Sequence, residues 1–256
     1  MEFIGQEKLI ESLQNTNARA ILIQGQPHSG KKTLIRKLFG ELGLYVYEVS
    51  GSVNDFRETI EFIKTQTNPM MYLIPDVDTL HPGTQNLLLK ILEEPPMKAR
   101  FCLTANNMIL PTIKSRCVGY SMERYTPEQI QAICCDSELS MTRTYVNILS
   151  RAVETPGQLQ LLVGWLGHST LPDMIQQMTD IQSVISQSLA LVLNKANLLC
   201  KYMKENNVPF YTFYLLAKGL HSESVSYSIL TQNLNELDRY IVCYFYAELW
   251  KEVACK

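Results

Sequence analysis

Short apolar runs alternate with longer amphipathic segments over the first 125 residues. Five of these runs have the length and composition of buried strands: AILIQG (20–25), LYVYEVSG (44–51), MMYLIPD (70–76), RFCLTAN (100–106) and CVGYSM (117–122). Three intervening segments repeat apolar residues every three or four positions, as on one face of a helix: KKTLIRKLFGEL, NDFRETIEFIKTQ and TQNLLLKILEE. Strands that alternate with helices favour an α/β fold, so we predict a five-stranded parallel sheet with helices on both faces.

The pattern changes near residue 125, after which the amphipathic segments have helical spacing. The predicted helices cover residues 127–135, 142–153, 157–165, 174–205, 207–220 and 234–253. Thr126 and Gln129 have the spacing of a capping box at the start of the first one. The stretch GHSTLP (167–172), rich in Gly, Ser and Pro, is the best candidate for a linker. These features predict three domains: α/β at 1–125, helical at 126–166 and helical at 167–256.

Three polar loops follow predicted strands directly. They are GQPHSGKK (25–32), DVDTL (76–80) and TANN (104–107). In a parallel sheet the carboxyl ends of the strands share one edge, and ligands bind beyond that edge. We therefore expect the three loops to meet at a single site.

The first loop follows the phosphate-binding pattern G-x-x-x-x-G-K-[ST] at Gly25, Gly30 and Lys31. In this pattern backbone N–H groups and the helix N-terminus hold the phosphates, and the lysine reaches the outer ones. Lys32 replaces the Ser or Thr that would bind magnesium, and Thr33 lies one residue too late, about 100° further round a helix. We predict a phosphate cradle without its metal ligand; the alternative is an ordinary strand-to-helix turn.

The stretch YLIPDVD carries the second candidate motif. In phosphate-loop proteins an aspartate at the end of such a strand helps to hold magnesium, and an acidic residue after it activates water. Asp76 fits the first role, whereas Val77 cannot polarise a water molecule. The alternative for Asp76 is a solvated carboxylate at a strand end.

Composition narrows the class of protein without identifying a ligand. The 256 residues are 46% hydrophobic and 19% charged with a net charge of −2, which is typical of a globular protein and unlike a basic nucleic-acid binder. Seven cysteines without a C-x-x-C pair predict reduced thiols and no metal site. The N-terminus lacks the apolar run of a signal peptide, and no stretch approaches the roughly 20 apolar residues of a membrane span. We therefore expect a cytoplasmic protein.

The most specific part of the sequence lies between residues 84 and 117. It contains an N-x-L-L-K-x-L-E-E-P-P helix (Asn86–Pro96), a strand that ends T-x-N at Asn106, and the motif Ser115, Arg116, Cys117. These motifs resemble those of the clamp-loader branch of the AAA+ ATPases. The resemblance covers about the first two thirds of the chain.

The resemblance gives each predicted domain a role. It implies an AAA+ phosphate-loop domain at 1–125, a small helical lid at 126–166 and a helical collar at 167–256. The collar, which is rich in tyrosine, would have one face against neighbouring subunits. The alternative is that its apolar residues only form the core of the domain.

Three departures from the family pattern affect hydrolysis. Lys32 replaces the magnesium-binding hydroxyl, Val77 replaces the catalytic glutamate, and Gln160 in GQLQ replaces the arginine that senses the γ-phosphate. Because Arg116 is kept, the resemblance implies a non-hydrolysing subunit that donates Arg116 as an arginine finger to a neighbouring ATPase subunit. Arg116 paired with a surface carboxylate is the simpler alternative. An active ATPase with atypical ligands and an AAA+-like adaptor outside replication are the alternative functions.

The resemblance also implies ligands and partners. Ile4 and Gly5 of FIGQEKL would lie near an adenine ring, and Asn106 would belong to the nucleotide site. No cofactor is required; ATP or ADP would bind weakly without magnesium, attracted by Lys31 and Lys32. The implied partners are gamma/tau-like ATPase subunits and a delta-like subunit, and through the assembly a sliding clamp and primer–template DNA, with no membrane.

Overall fold

The chain divides into two compact units, Met1–Tyr125 and Thr126–Lys256. The division coincides with the boundary predicted between residues 125 and 126. A computed structural model describes the following residues: 3–50, 52–136, 143–221, 230 and 239–254.

The first unit is built around the five-stranded parallel sheet that the sequence predicts. Its strands are β1 (Ala20–Gln24), β2 (Tyr45–Glu48), β3 (Met70–Ile74), β4 (Ala99–Ala105) and β5 (Val118–Ser121). They lie in the order β2-β3-β4-β1-β5, and each neighbouring pair is parallel. The strand that leads into the phosphate loop, β1, therefore lies inside the sheet between β4 and β5.

One helix precedes the first strand of the first unit, and the others connect its strands. The helices are α1 (Glu7–Gln14), α2 (Lys31–Glu41), α3 (Val53–Thr65), α4 (Pro82–Glu93) and α5 (Pro111–Lys114), with a 3₁₀ turn at Val77–Thr79. Local chemistry sets their ends. Ser52 and Asp55 form a capping box at the start of α3, and α4 ends shortly before Pro95 and Pro96, which cannot continue a helix.

The three central strands, β3, β4 and β1, are buried on both faces, which explains why they appear in the sequence as continuous apolar runs, whereas the edge strands β2 and β5 are largely exposed. Ile21 and Ile23 of β1 pack in a cluster with residues of α1 and α2. Leu22, between them, belongs to a second cluster with residues of α3 and α4. All three side chains are inaccessible to solvent. This packing fixes the carboxyl end of β1, from which the phosphate loop starts.

The second unit contains helices and no strand among its described residues. Its helices are α6 (Pro127–Asp136), α7 (Arg143–Ala152), α8 (Pro156–Ser183), α9 (Leu189–Glu205), α10 (Phe210–His221) and α11 (Arg239–Ala254). The predicted capping box is present at α6, where the Thr126 and Gln129 backbone N–H groups donate to each other's side-chain oxygens. The first residues of the predicted helix 234–253 lie outside the described part of the chain. None of the described helices has the length and apolar character needed to cross a membrane.

The predicted linker at residues 167–172 is wrong, because α8 runs through it with Pro172 inside the helix. Leu171 and Met174, on either side of the proline, are 1% and 0% exposed. Burial of such side chains offsets the roughly 3 kcal/mol that an internal proline costs a helix. The boundary predicted between the lid and the collar therefore lies inside a helix.

The predicted helix at 174–205 is interrupted instead. Residues 184–188 separate α8 from α9, and the Ser188 hydroxyl accepts a hydrogen bond from the Leu191 backbone N–H. Serine is a strong N-cap residue because its side chain satisfies a backbone donor that the helix leaves unpaired. The composition of GHSTLP gave a stronger signal for a break than this single serine, and the signal was misleading.

Candidate functional site

Two glycines shape the loop between β1 and α2. Gly30 is the N-cap of α2 and has a φ of 92°, in the left-handed region that other residues rarely adopt. A Cβ on Gly25 would lie 3.0 Å from the Cβ of Met122, so a side chain there would force Met122 to move. The local structure therefore explains why both positions of the phosphate-loop pattern are glycine. The loop ends at a helix N-terminus, as the sequence predicts.

The Lys31 ammonium lies within this loop and is bound by it. Its Nζ donates to the carbonyl oxygens of Gly25 (2.9 Å) and Gln26 (2.7 Å) and to Oδ1 of Asn106 (2.8 Å). An ammonium has three N–H groups, so these bonds use all of them. Burial lowers the pKa of Lys31, and the negative charges of Asp76 and Asp78 oppose that shift. A phosphate could reach Lys31 only by replacing one of these acceptors.

Asn106 links the phosphate loop to the end of β3. Its Oδ1 accepts from Lys31, and its Nδ2 donates to Oδ1 of Asp76 over 3.0 Å. The backbone N–H of Asp76 donates in turn to Oγ1 of Thr104 over 3.0 Å. Three of the predicted site residues, Lys31, Asp76 and Asn106, thus form one hydrogen-bonded chain at the carboxyl edge of the sheet.

Sequence reasoning missed the second carboxylate of this edge, Asp78. Its Oδ1 accepts from the backbone N–H of Asn106 (3.1 Å), and its Oδ2 accepts from the backbone N–H (3.1 Å) and Nδ2 (2.9 Å) of Asn107. Asp78 therefore holds the loop after β4 in place. The repeated aspartate in DVD was the only sequence signal for it, because the folding of Asn106 and Asn107 onto that turn is a tertiary contact.

Lys32 points away from the loop, contrary to the expectation that both lysines would attract phosphate. Its Nζ lies 3.7 Å from Oε1 of Glu48 at the end of β2, and Arg36 pairs with the same carboxylate. Adjacent helical residues are about 100° apart, so Lys32 leaves α2 on a different side from the buried Lys31. The cation at the cradle is Lys31.

The side chains of Thr33 and Val77, the other two positions linked to magnesium chemistry, are not hydrogen-bonded to Lys31. Thr33 is exposed on α2. Val77 is fully buried in the cluster between the sheet, α3 and α4. Neither side chain is among the partners of Lys31 or Asn106.

The segment predicted to lie near adenine enters α1 through a left-handed turn at Gly5, whose φ is 76°. Ile4 and Phe3 line a cavity of about 550 Å³ together with residues of α1 and α2. The residues that line this cavity include none from the loop 25–33, all of which is described. The adenine-binding role of Ile4 and Gly5 stays a prediction.

Gln160 lies near the start of α8 in the second unit, where its side chain is exposed. Thr155 caps this helix by accepting from the backbone N–H of Gln158 over 3.4 Å. The GQLQ stretch is therefore the first turn of a long helix. A role of Gln160 towards a nucleotide stays a prediction.

Arg116 lies at the edge of the first unit, just after α5, and its side chain is 29% exposed. Its Nε donates to Oε1 of Glu93 over 3.0 Å, its Nη2 pairs with the same oxygen, and its Nη1 donates to the carbonyl oxygen of Thr112 over 2.6 Å. The alternative of a pair with a surface carboxylate is therefore realised in the isolated chain. The partner, Glu93, was not among the predicted site residues.

The neighbours of Arg116 in the motif have structural contacts. The Ser115 hydroxyl donates to the carbonyl oxygen of Thr112 over 3.1 Å and so stabilises the end of α5. Cys117 packs against the core cluster, and burial raises the pKa of its thiol to about 11. Cys117 is therefore a neutral packing residue at physiological pH.

Several known proteins are similar to parts of this chain. A family model described as DNA polymerase III, delta subunit, matches residues 49–126. The tau subunit of DNA polymerase III from Bacillus subtilis is 36% identical over 80 residues, which are 30% of this chain and 14% of that protein. Replication factor C subunit 3 of Schizosaccharomyces pombe is 28% identical over 127 residues, 43% of this chain and 37% of that protein.

These matches cover parts of the chain, and the proteins they name are subunits of DNA polymerase III and of replication factor C. The family-model match includes the Ser-Arg-Cys motif at residues 115–117. The chain matches 14 to 16% of the length of the bacterial tau subunits.

Solved structures show the same fold. A DNA polymerase III gamma subunit-related protein from Thermotoga maritima has a TM-score of 0.52 at 15% identity, and the match covers 96% of this chain and 99% of that one. A RuvB mutant from Thermotoga maritima also has a TM-score of 0.52 at 15% identity, over 77% of this chain and 71% of that one. The fold is thus a five-stranded parallel α/β domain of the phosphate-loop kind, followed by a mostly helical part.

Replacement of Lys31 by methionine is expected to destabilise the first unit by about 2 kcal/mol. The change leaves the partly buried acceptors on Gly25, Gln26 and Asn106 without their charged donor. Lys32→Met is the matched control, because a half-exposed ion pair contributes about 0–1 kcal/mol. Urea unfolding of both variants checks this, and equal losses of stability would show that Lys31 has no structural role.

Proposed function

We propose that this chain is a non-hydrolysing subunit of a DNA-replication clamp loader, of the delta-prime type. In this role it donates Arg116 to the ATP site of a neighbouring subunit during loading of a sliding clamp. The matches to subunits of DNA polymerase III and of replication factor C support a role in the clamp loader. The division of labour between this chain and its neighbour is the proposed part.

The observation that carries the proposal is that both lysines of the phosphate loop are bound within the protein itself. Every N–H of the Lys31 ammonium is bonded within the protein, and Lys32 is paired with Glu48. Val77 is buried. Loss of a metal ligand and loss of a water-activating group each raise the barrier to hydrolysis, and each slows the reaction by about 10²-fold or more.

Arg116 supports the second half of the proposal. It stands at the domain edge, partly exposed, just after the short helix α5, whose Ile113 is buried. A guanidinium keeps its proton and can hold a phosphate through two hydrogen bonds. This is the side chain and the location that an arginine acting on another subunit requires.

The proposal includes the partners and ligands. The chain would assemble with gamma/tau-like ATPase subunits and a delta-like subunit in the cytoplasm, and would meet the clamp and primer–template DNA through that assembly. It would need no cofactor, and ATP or ADP would bind weakly and without magnesium dependence. Weak binding is expected because a phosphate must displace the acceptors of Lys31.

An active ATPase is the second candidate. It is favoured by the matches to tau and gamma subunits and by the left-handed Gly30 ahead of Lys31, since the backbone of the cradle is intact. In that function the Asp76 carboxylate would take part in metal binding. Asp76 is held by Asn106 rather than by a lysine, so it remains available for an ion.

Two measurements on the purified full chain separate these functions. We expect no magnesium-dependent ATP turnover from the chain alone. In a pull-down with the gamma/tau-like and delta-like subunits and the clamp of the same host, we expect the chain to be retained. Turnover of ~1 per second that Lys31→Ala abolishes would favour the active ATPase. Failure to retain any of these proteins would favour an adaptor outside replication.

A further inference from the structure

The contact between Glu93 and Arg116 joins the two most specific motifs of the sequence. Glu93 is the last residue of α4, in the LEEPP stretch, and Arg116 is the central residue of the Ser-Arg-Cys motif. A single carboxylate oxygen, Oε1, accepts from Nε (3.0 Å) and also pairs with Nη2. Glu93 therefore binds the side edge of the guanidinium.

Both residues are mounted on packed elements. Leu92, which precedes Glu93, is 5% exposed, and Ile113 of α5 is 1% exposed; both belong to the same hydrophobic cluster. Cys117, which follows Arg116, packs against that cluster as well. The backbone on both sides of the ion pair is thus fixed by the core, so the pair can set the direction of a long and otherwise mobile side chain.

The hydrogen bonds of Arg116 leave one part of it available. A guanidinium has five N–H groups. Two are used by Glu93, and one on Nη1 is used by the Thr112 carbonyl oxygen. Two N–H groups, one on Nη1 and one on Nη2, have no partner among the described residues. A phosphate that reaches Arg116 could accept from these two N–H groups.

We propose that Glu93 is a positioning residue that holds Arg116 ready for a phosphate bound to a neighbouring subunit. This inference rests on the proposed function, since it assigns no separate activity to Glu93. The carboxylate grips the side edge and the Thr112 carbonyl fixes Nη1, so the free end can contact an anion while both bonds remain. The pair stays intact in the working state and does not compete with the phosphate.

Such an arrangement is favourable because it fixes the conformation of the arginine side chain before the reaction begins. An arginine side chain has several rotatable bonds, and fixing them during the reaction would reduce the benefit of the contact. A charge-assisted hydrogen bond is shorter and stronger than a neutral one. Glu93→Gln keeps the shape of the side chain but removes the charge, so it is expected to loosen Arg116 without removing it.

The test uses the complete reconstituted clamp loader with wild-type chain or with Glu93→Gln, Arg116→Ala or both changes. Rapid-quench single-turnover measurements resolve hydrolysis at individual sites after addition of clamp and primer–template DNA. We expect Glu93→Gln to slow one site by roughly tenfold through misplacement of the arginine, with an unchanged concentration of ATP at half-saturation. We expect no further slowing when Glu93→Gln is added to Arg116→Ala.

Glu94→Gln is the matched control, because Glu94 is exposed at the same helix end and is not a hydrogen-bond partner of Arg116. It should leave the rate unchanged. If Arg116→Ala slows one site and Glu93→Gln does not, the positioning role is wrong while the proposed function stands. Faster hydrolysis with Glu93→Gln would show that Glu93 withholds the arginine, which also overturns the inference. If Arg116→Ala has no effect, the proposed function itself fails.

Discussion

Replacement of Arg116 by alanine is expected to slow clamp- and DNA-stimulated ATP hydrolysis by the reconstituted complex while its assembly stays normal. Arginines that enter a neighbour's site contribute about 10³–10⁵ in rate in well-studied cases. One site of several would use this copy. Hydrolysis at that site should therefore fall by about 10³-fold or more, and total turnover should fall only in part.

The fold should tolerate the change. Arg116 is 29% exposed and Glu93 50% exposed, so solvent screens their ion pair. Exposed pairs of this kind contribute about 0–1 kcal/mol to stability. The thermal midpoint of the isolated Arg116→Ala chain and its elution with the other subunits should match those of the wild type.

Arg116→Lys separates a specific role from a general need for positive charge. Lysine keeps the charge, but its ammonium lacks the planar fork that binds a phosphate through two parallel hydrogen bonds. It also cannot bind Glu93 and Thr112 in the way that Nε, Nη1 and Nη2 do. We expect no rescue by lysine. If the alanine variant assembles and the complex loads clamps at the wild-type rate, Arg116 is only a surface residue.

The α/β unit was predictable from the sequence because its signals are local and strong. The central strands are short apolar runs between turn residues, as in AILIQG and RFCLTAN, and burial on both faces of a parallel sheet requires such runs. The edge at which the three polar loops meet followed from parallel topology alone. Lys31, Asp76 and Asn106 are far apart in the sequence, yet they form one hydrogen-bonded chain there.

The directions and partners of charged side chains were not predictable. Lys32 of α2 was expected to point towards the phosphate site, but its ammonium pairs with Glu48 at the end of β2. Glu93 could not be recognised as the partner of Arg116, because 23 residues separate them. Such pairs depend on how helices are placed on the sheet, and neither propensity nor periodicity encodes that placement.

The helical part was predicted less well for a different reason. The Gly, Ser and Pro of GHSTLP are signals of a loop, and the local signal was overruled by the buried residues around Pro172. Propensity is a weak prior that tertiary packing often overrides. The lid and the collar were predicted to meet at this stretch, whereas α8 crosses it without a break.

Contact between the predicted lid and collar segments can be tested at Gly219 of α10. A Cβ at Gly219 would overlap the carbonyl oxygen of Ile148 in α7 and would lie 3.1 Å from the Cβ of Ala152. The two helices can therefore approach this closely only if the position lacks a side chain. Because the Ile148 carbonyl belongs to the backbone, it cannot rotate away as a flexible side chain can. A side chain at position 219 would therefore force α7 and α10 to move apart.

Gly219→Ala is expected to destabilise the second unit by about 2 kcal/mol. Alanine favours a helix by about 1 kcal/mol over glycine, and overpacking of about 1–3 kcal/mol must exceed that gain. Gly164→Ala in α8 is the matched control, since a Cβ there meets nothing within 4 Å, and it should stabilise by roughly 0.5–1 kcal/mol. The urea midpoints of the two variants should thus move in opposite directions. If Gly219→Ala is as stabilising as Gly164→Ala, α7 and α10 do not pack closely, and the inferred contact between the predicted lid and collar segments is wrong.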